Sequence, residues 1–212
     1  MNKKVINVAL LGLGTVGTGV YKVLKMQQDE MEDKIGAQVE IKKILVRNLK
    51  KAAAKIQEPE LLTNNWKEIL EDESIEIVIE VMGGIEPAKT YMLEALKAGK
   101  HVVTANKDLV ASYGQEVLDC AAENNRDFLF EAAVGGGIPI IRPLKQCLAG
   151  NHLSEVVGIV NGTTNFILTK MTQEGMEFAE ALALATRAMP RRIPLRISRD
   201  WTQEERWRFW LP

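Results

Sequence analysis

A glycine pattern near the start of the chain, set between an apolar run and an amphipathic stretch, constrains the fold more than any other feature. Residues 12–17 are Gly-Leu-Gly-Thr-Val-Gly, a G-x-G-x-x-G. They follow the apolar run Val5–Leu11, and apolar residues then recur at helical spacing, at Val16, Val20, Val23 and Leu24. Strand, tight turn and helix in this order form the setting in which such a pattern holds the pyrophosphate of a dinucleotide.

Each glycine of this pattern has a predicted role. Gly12 permits the tight turn, Gly14 lets the backbone approach the pyrophosphate, and Gly17 allows close contact between helix and strand. The N–H groups at the start of the helix stabilise the phosphate charge. A purely structural turn is the alternative. The residues expected to bind the cofactor here are Gly12, Leu13, Gly14, Thr15, Val16 and Gly17.

Further apolar runs follow at a spacing typical of strands that alternate with helices. They lie at residues 39–46, 75–82, 101–105 and 128–132, and a helix is predicted at 88–98. This alternation predicts an α/β fold with a doubly wound parallel sheet of the Rossmann type, which we expect to occupy residues 1–133.

The pattern changes at three consecutive glycines, residues 135–137. We expect residues 134–187 to begin a second, α+β structural unit. Within it the sequence predicts a strand at 153–160, a turn at Asn161-Gly162, and helices at 163–171 and 178–186.

Composition places the chain among ordinary globular proteins. The formal net charge is −1 and 46% of residues are hydrophobic, so we expect neither nucleic acid nor a membrane as partner. No apolar run approaches the ~18 residues that cross a bilayer, and no signal peptide is evident, so the expected location is the cytoplasm. Cys120 and Cys147 are expected to be buried thiols, and His101 and His152 to be structural or exposed.

The end of the second strand predicts which cofactor is preferred. An acid there favours the ribose hydroxyl of NAD and an arginine favours the 2′-phosphate of NADP. The chain has Arg47, with Lys50 and Lys51 close behind. NADP is therefore favoured over NAD, although Arg47 could instead be a solvated charge at a strand end.

Two later strand ends also carry candidate residues. Gly83, in a Met-Gly-Gly turn, is where backbone passes close to the ribose or nicotinamide, although a plain turn is an equal alternative. Thr104 and Lys107 end another strand at the edge where doubly wound sheets bind ligands. The Lys107 ammonium could orient a substrate oxygen or stabilise an alkoxide, whereas a surface lysine at a helix start is the alternative.

Three stretches of the chain resemble the signature motifs of homoserine dehydrogenase. They are residues 99–107, 131–141 and 158–168, and the resemblance runs from residue 5 to about 187. It implies the NAD(P)-dependent interconversion of L-homoserine and L-aspartate 4-semialdehyde, in threonine, methionine and isoleucine biosynthesis, by a homodimeric family.

The resemblance also implies that residues 134–187 begin the family's substrate and dimerisation domain. In that family the lysine matching Lys107 lies between nicotinamide and substrate, and the turn with Asn161 and Thr163 helps to hold the substrate or the nicotinamide. A monovalent cation, usually sodium, is held largely through backbone carbonyls; the matching residues are Glu131, Val134, Gly136 and Ile138. Hard oxygen ligands suit such an ion.

The last 25 residues depart from the rest in composition. Residues 1–187 contain 17 Lys and 4 Arg, whereas 188–212 contain no Lys, 6 Arg and three of the four Trp. Permitted codons read one base out of frame from Ala188 spell Y-A-E-A-D-P-T-P-D-I-E-G-L-D-A-G-R-K, which resembles the family's continuation with its substrate-binding acids and second lysine. We therefore expect a frameshifted, truncated homoserine dehydrogenase; a genuine basic, aromatic tail is the alternative.

Two other functions remain open from sequence alone. Another small-aldehyde NAD(P) reductase of similar architecture would fit the cofactor motif, although its acylating type needs a catalytic cysteine with a histidine partner. A cofactor-binding fragment without turnover would fit the loss of the second lysine.

Overall fold

The computed structural model describes residues 4–159 and 162–188 of the chain. The described residues divide into two compact units between Pro143 and Leu144. The predicted tail, residues 188–212, lies outside the described part except for the backbone of Ala188.

The first unit is built on a six-stranded sheet in which all paired strands are parallel. The strand order is β3-β2-β1-β4-β5-β6, so the direction of winding reverses between β1 and β4. The strands are β1 (Val5–Leu11), β2 (Gln38–Leu45), β3 (Leu62–Thr63), β4 (Ile75–Glu80), β5 (His101–Thr104) and β6 (Phe128–Leu129). The predicted Rossmann-type fold is confirmed.

Helices connect successive strands. Those of the first unit are α1 (Thr15–Met26), α2 (Gln28–Ile35), α3 (Leu49–Ala53), α4 (Lys67–Leu70), α5 (Ala88–Lys97) and α6 (Lys107–Glu123), with 3₁₀ turns at Pro59–Leu61 and Glu131–Ala133. A π-helical turn follows at Pro143–Cys147. The second unit contains α7 (Gly162–Glu174) and α8 (Phe178–Ala188), which confirm the two helices predicted there.

Burial follows from this layering. β1 is apolar except for Asn7, because helices cover both faces of a parallel sheet. In β1, residues 8–11 are all buried, and Ile44, Val78 and Val102 on the neighbouring strands are fully buried. α5 ends just before Gly99, whose φ of +79° reverses the chain into β5.

Two expectations from sequence are wrong. Residues 153–159 form no strand, because a strand needs a partner for its backbone and none of the described residues of the second unit supplies one. Cys147 is exposed, and only Cys120 of the two cysteines is buried. Cys147 lies at the end of the short π-helical turn Pro143–Cys147, none of whose residues is buried.

Within residues 4–159 and 162–188, no helix combines the length and the apolar character that a bilayer span requires.

Candidate functional site

The predicted cofactor loop joins β1 to α1 in the expected geometry. Gly12 adopts φ +102°, a left-handed conformation that L-residues rarely adopt, and its N–H donates to the carbonyl of Leu45 at 2.9 Å. α1 begins at Thr15 with Gly14 as its N-cap, and that residue offers no side chain to accept the N–H groups of the first turn. Those N–H groups and the helix dipole favour an anionic ligand at this end.

Gly14 and Gly17 differ sharply in the space around them. A Cβ at Gly17 would lie 2.1 Å from the carbonyl oxygen of Gly12, so only glycine fits there. A Cβ at Gly14 would meet no atom within 4 Å. The open space over Gly14 is therefore available to a ligand, while the close packing at Gly17 is needed by the fold itself.

A lysine that the sequence did not single out supports this loop. Lys55 lies beyond α3, and its Nζ donates to the carbonyl of Leu13 at 2.7 Å. This hydrogen bond places the positively charged Lys55 side chain against the backbone of the glycine-rich loop. Local sequence carries no signal for this contact, because the two residues are separated by 42 positions.

The glycine-rich loop lies beside the turn that follows β4. Val81 donates from its backbone N–H to the carbonyl of Leu11 at 2.9 Å, and a Cβ at Gly12 would lie 3.1 Å from Cα of Met82. The two loops meet where the winding of the sheet reverses, which is the position at which open α/β sheets bind ligands.

Glu80, the last residue of β4, is fully buried and is the second functional candidate that sequence reasoning missed. Its Oε1 accepts the backbone N–H groups of Met82 at 2.7 Å and Gly83 at 3.3 Å. Its Oε2 accepts the Thr104 hydroxyl at 2.6 Å. A strand-end acid inside an apolar run was the available signal, but its partners depend on the tertiary fold.

Thr104 and Asn106 continue this network to the start of α6. The Thr104 hydroxyl accepts the N–H of Asn106 at 3.0 Å. The Asn106 side chain caps α6 by accepting the N–H of Leu109 at 3.3 Å, and it donates to the carbonyl of Gly84 at 2.6 Å. Lys107 is the first residue of α6, and its exposed side chain lies outside this network.

The end of β2 carries the residues predicted to select the cofactor. Arg47 is exposed two residues beyond the strand, and Lys50 and Lys51 are exposed in α3. Asn48 caps that helix through Oδ1, which accepts the N–H of Lys51 at 2.9 Å. The cationic side chains therefore lie at the same edge as the glycine-rich loop, because both follow parallel neighbouring strands.

Glu131 organises the segment predicted to hold a cation. Its carboxylate accepts the N–H groups of Ile140 at 2.5 Å, Ile141 at 2.9 Å and Arg142 at 2.8 Å. The hydrogen bond from Ile140, aided by those from Arg142 and Ile141, lowers the pKa of the Glu131 carboxyl. The carboxylate is thus engaged by backbone, so oxygen ligands for an ion would come from carbonyl groups.

The glycines of this segment shape the backbone. Gly135 and Gly136 adopt φ of +70° and +62°, and Ile138 is 70% exposed. Within the described residues no group of three or more His, Cys, Asp or Glu side chains could hold a metal ion.

The predicted substrate residues fall in the second unit. Thr163 lies in the first turn of α7 and is half-buried. Asn161 lies outside the described residues.

Comparison with known protein families gives two matches that together cover most of the chain. Residues 12–131 match the NAD-binding domain of homoserine dehydrogenase, and residues 139–189 match the homoserine dehydrogenase model itself. The first match alone covers more than half of the chain and contains the glycine-rich loop, Glu80 and Lys107.

Individual proteins agree with the family models. The chain is 49% identical over 179 residues to homoserine dehydrogenase of Bacillus subtilis, covering 84% of this chain and 41% of that protein. The chain thus spans about two-fifths of the length of the curated relatives it matches.

Solved structures show the same similarity in three dimensions. A homoserine dehydrogenase from Thiobacillus denitrificans is 45% identical with a TM-score of 0.78, over 87% of this chain and 43% of that one. A hyperthermophilic archaeal homoserine dehydrogenase in complex with NADPH is 28% identical with a TM-score of 0.72, over 87% of this chain and 61% of that one.

Proposed function

The chain belongs to the homoserine dehydrogenase family, and from that premise we propose that it binds NAD(P) and serves the interconversion of L-homoserine and L-aspartate 4-semialdehyde. The observation that carries the cofactor part is the glycine-rich loop. A pyrophosphate fits this loop because α1 begins without a side-chain cap and the space over Gly14 is open. The packing at Gly17, which only glycine allows, holds the loop against the helix.

The cofactor would lie across the carboxyl edge of the sheet. Its pyrophosphate is held by Gly12, Leu13, Gly14, Thr15, Val16 and Gly17. The fold consists of two mononucleotide-binding halves that meet between β1 and β4, where the strand order reverses. The adenosine half of the cofactor would therefore lie over β1 and β2. The nicotinamide half would lie over β4 and β5, near Gly83 and Thr104. When bound, the nicotinamide supplies the hydride acceptor or donor.

Arg47 supports a preference for NADP. Its guanidinium can pair with a 2′-phosphate in two parallel hydrogen bonds, and Lys50 and Lys51 add positive charge nearby. The related archaeal enzyme is solved with NADPH. We propose NADP as the better cofactor, with NAD accepted more weakly.

Lys107 is proposed to orient the substrate oxygen. As the first residue of α6 it projects from the edge where β5 ends, close in sequence to the buried Thr104 and Asn106 that fix the backbone before it. Its ammonium would stabilise negative charge that develops on the oxygen during hydride transfer. Thr163, with Asn161, is proposed to hold the amino-acid end of the substrate.

A sodium ion at Glu131, Val134, Gly136 and Ile138 is proposed by family resemblance. The engagement of the Glu131 carboxylate by three N–H groups supports a role for that side chain in shaping the loop, with the ion held by carbonyl oxygens. The ion would then stiffen the connection that leads from the cofactor domain, residues 1–133, towards the substrate domain, residues 134–187.

The residues after the second family match limit turnover in this proposal. That match ends at residue 189, and residues 188–212 contain no lysine. We propose that this tail is read in a shifted frame, so that residues 188–212 do not supply the second lysine and the substrate-binding acids that the family has there. A cofactor-binding fragment without turnover is the alternative that this composition favours.

The test compares this chain with a version in which the frame after residue 187 is restored. We expect homoserine-dependent reduction of NADP by the chain as given to be at least ~10³-fold slower, because acid/base groups contribute about 10²–10⁴ in rate and substrate anchoring is also lost. Comparable rates for the two purified proteins would contradict the shifted-frame proposal. Absence of turnover in a frame-restored protein that also spans the full length of the relatives would contradict the assignment of the reaction.

A further inference from the structure

The turn after β4 carries an internal anion. Met82 and Gly83 direct successive N–H groups to a single oxygen of the buried Glu80 carboxylate, at 2.7 and 3.3 Å. Gly83 and Gly84 both adopt left-handed φ, +74° and +78°. Because Glu80 already occupies these donors, the turn is not a second phosphate cradle, and its shape is set by the carboxylate.

The other oxygen of the same carboxylate reaches the next strand. Glu80 and Thr104 are register partners in the β4–β5 ladder, and the Thr104 hydroxyl donates to Glu80 at 2.6 Å. Both residues are buried, at 0% and 1% exposure, so water does not compete for this bond.

The network closes through the cap of α6. The Thr104 hydroxyl accepts from Asn106, and the Asn106 amide donates back to the carbonyl of Gly84. Glu80, Thr104, Asn106 and the 82–84 turn thus form a ring of hydrogen bonds around one carboxylate. We call this set the Glu80 ring.

We propose that Glu80 is a positioning residue that fixes the turn at 82–84 and the start of α6 as one unit beneath the nicotinamide half of the cofactor. The inference rests on the proposed cofactor binding. It follows because the two segments tied by the carboxylate are those that flank the second mononucleotide half, and Lys107 is attached to one of them.

Burial of a carboxylate at this position calls for a reason other than stability. An apolar side chain could fill the same space without losing hydration, whereas a carboxylate satisfies three donors on two different loops at once. Two of the donors belong to the turn after β4, and the third is the buried hydroxyl at the end of β5.

The Glu80 ring is proposed to act on the nicotinamide half of the cofactor and not on the adenosine half, so two ligands are compared. NADPH spans both halves, whereas 2′-phospho-ADP-ribose lacks nicotinamide and engages the glycine-rich loop and the end of β2. The first variant is Thr104→Val, which removes the hydroxyl and keeps the shape of the side chain. The second is Glu80→Gln, which removes the negative charge and replaces one acceptor oxygen with an NH2 donor. Thr90→Val is the matched control, because Thr90 also donates to a glutamate, Glu86, at 2.8 Å but in an exposed position.

We expect both ring variants to bind NADPH about tenfold more weakly and 2′-phospho-ADP-ribose as tightly as the wild type. The double variant should bind NADPH only slightly more weakly than the single variant that has the lower affinity, because both substitutions act on one network. The control should bind both ligands normally. Circular dichroism verifies folding, and if Glu80→Gln does not fold, Thr104→Val alone decides.

Three results would overturn the proposal: unchanged NADPH affinity in a folded ring variant, equal loss of both ligands, or the same loss in the Thr90→Val control. Equal loss would show that Glu80 supports the whole domain. If the folded wild type binds neither ligand, the proposed cofactor function fails instead, which is a distinct outcome.

Discussion

The carbonyl of Gly12 occupies the space in which a side chain at Gly17 would begin, with only 2.1 Å between its oxygen and the position of a Cβ. This contact joins the first turn of α1 to the end of β1. It explains why the third glycine of the motif is a packing requirement, while the second, Gly14, faces open space.

We expect Gly17→Ala to destabilise the first unit by about 1–3 kcal/mol, because the added methyl group meets backbone that cannot rotate away. Gly19→Ala is the control, since a Cβ at Gly19 meets no atom within 4 Å. In the middle of α1 that change should instead stabilise by roughly 0.5–1 kcal/mol. Denaturant unfolding of the three proteins measures both effects, and equal stability of the two variants would contradict the packing described for the loop.

Arg47→Ala should weaken NADPH binding about tenfold or more while leaving NADH binding nearly unchanged. The reason is that a charge-assisted, paired hydrogen bond to the 2′-phosphate is lost, and NADH has no such phosphate. Fluorescence titration of both cofactors gives the ratio.

Lys34→Ala is the control for Arg47→Ala, since it removes the same charge just before β2 begins, at the opposite edge of the sheet. Its cofactor ratio should match that of the wild type. Equal wild-type affinities for NADPH and NADH, unaltered in Arg47→Ala, would count against the NADP preference.

Asp72 provides a stability prediction with a defined pH range. The hydrogen bond from Lys42, followed by those from Ser74, lowers the pKa of the Asp72 carboxyl from 3.8 to about 2. Because the folded pKa lies below the ordinary value, the ionised carboxylate contributes stability above about pH 4, and the contribution is lost as the pH falls towards 2.

We therefore expect Asp72→Asn to reduce the free energy of unfolding by about 1 kcal/mol at pH 7, a modest value because both side chains are partly exposed to solvent. The difference from the wild type should shrink between pH 4 and pH 2. Asp33→Asn, at an exposed position of α2, should change stability by less than about 0.5 kcal/mol at either pH. A pH-independent effect at Asp72 would show that the ion pair is not its cause.

Local pattern was sufficient to predict five of the six strands and the glycine-rich loop, but not the two-residue β3. A strand, a turn and a helix follow one another within residues 5–26, so periodicity and glycine spacing describe them directly.

The parts that sequence did not predict depend on distant neighbours. Glu80 meets Thr104 across 24 positions and Lys55 meets Leu13 across 42, and neither pair shows any local periodicity. The strand expected at 153–160 was wrong for the complementary reason. An apolar run favours a strand, but it forms one only where another strand is available to pair with it.

A fluorescence titration with NADPH of the wild type and of Gly14→Val tests whether the cofactor binds at the glycine-rich loop. The open space at Gly14 predicts that the valine variant folds normally by circular dichroism, although its side chain fills the place of the pyrophosphate. We expect saturable NADPH binding by the wild type and none by the folded variant. Equal affinity of the two folded proteins, or absence of binding by the wild type, would contradict cofactor binding at the glycine-rich loop.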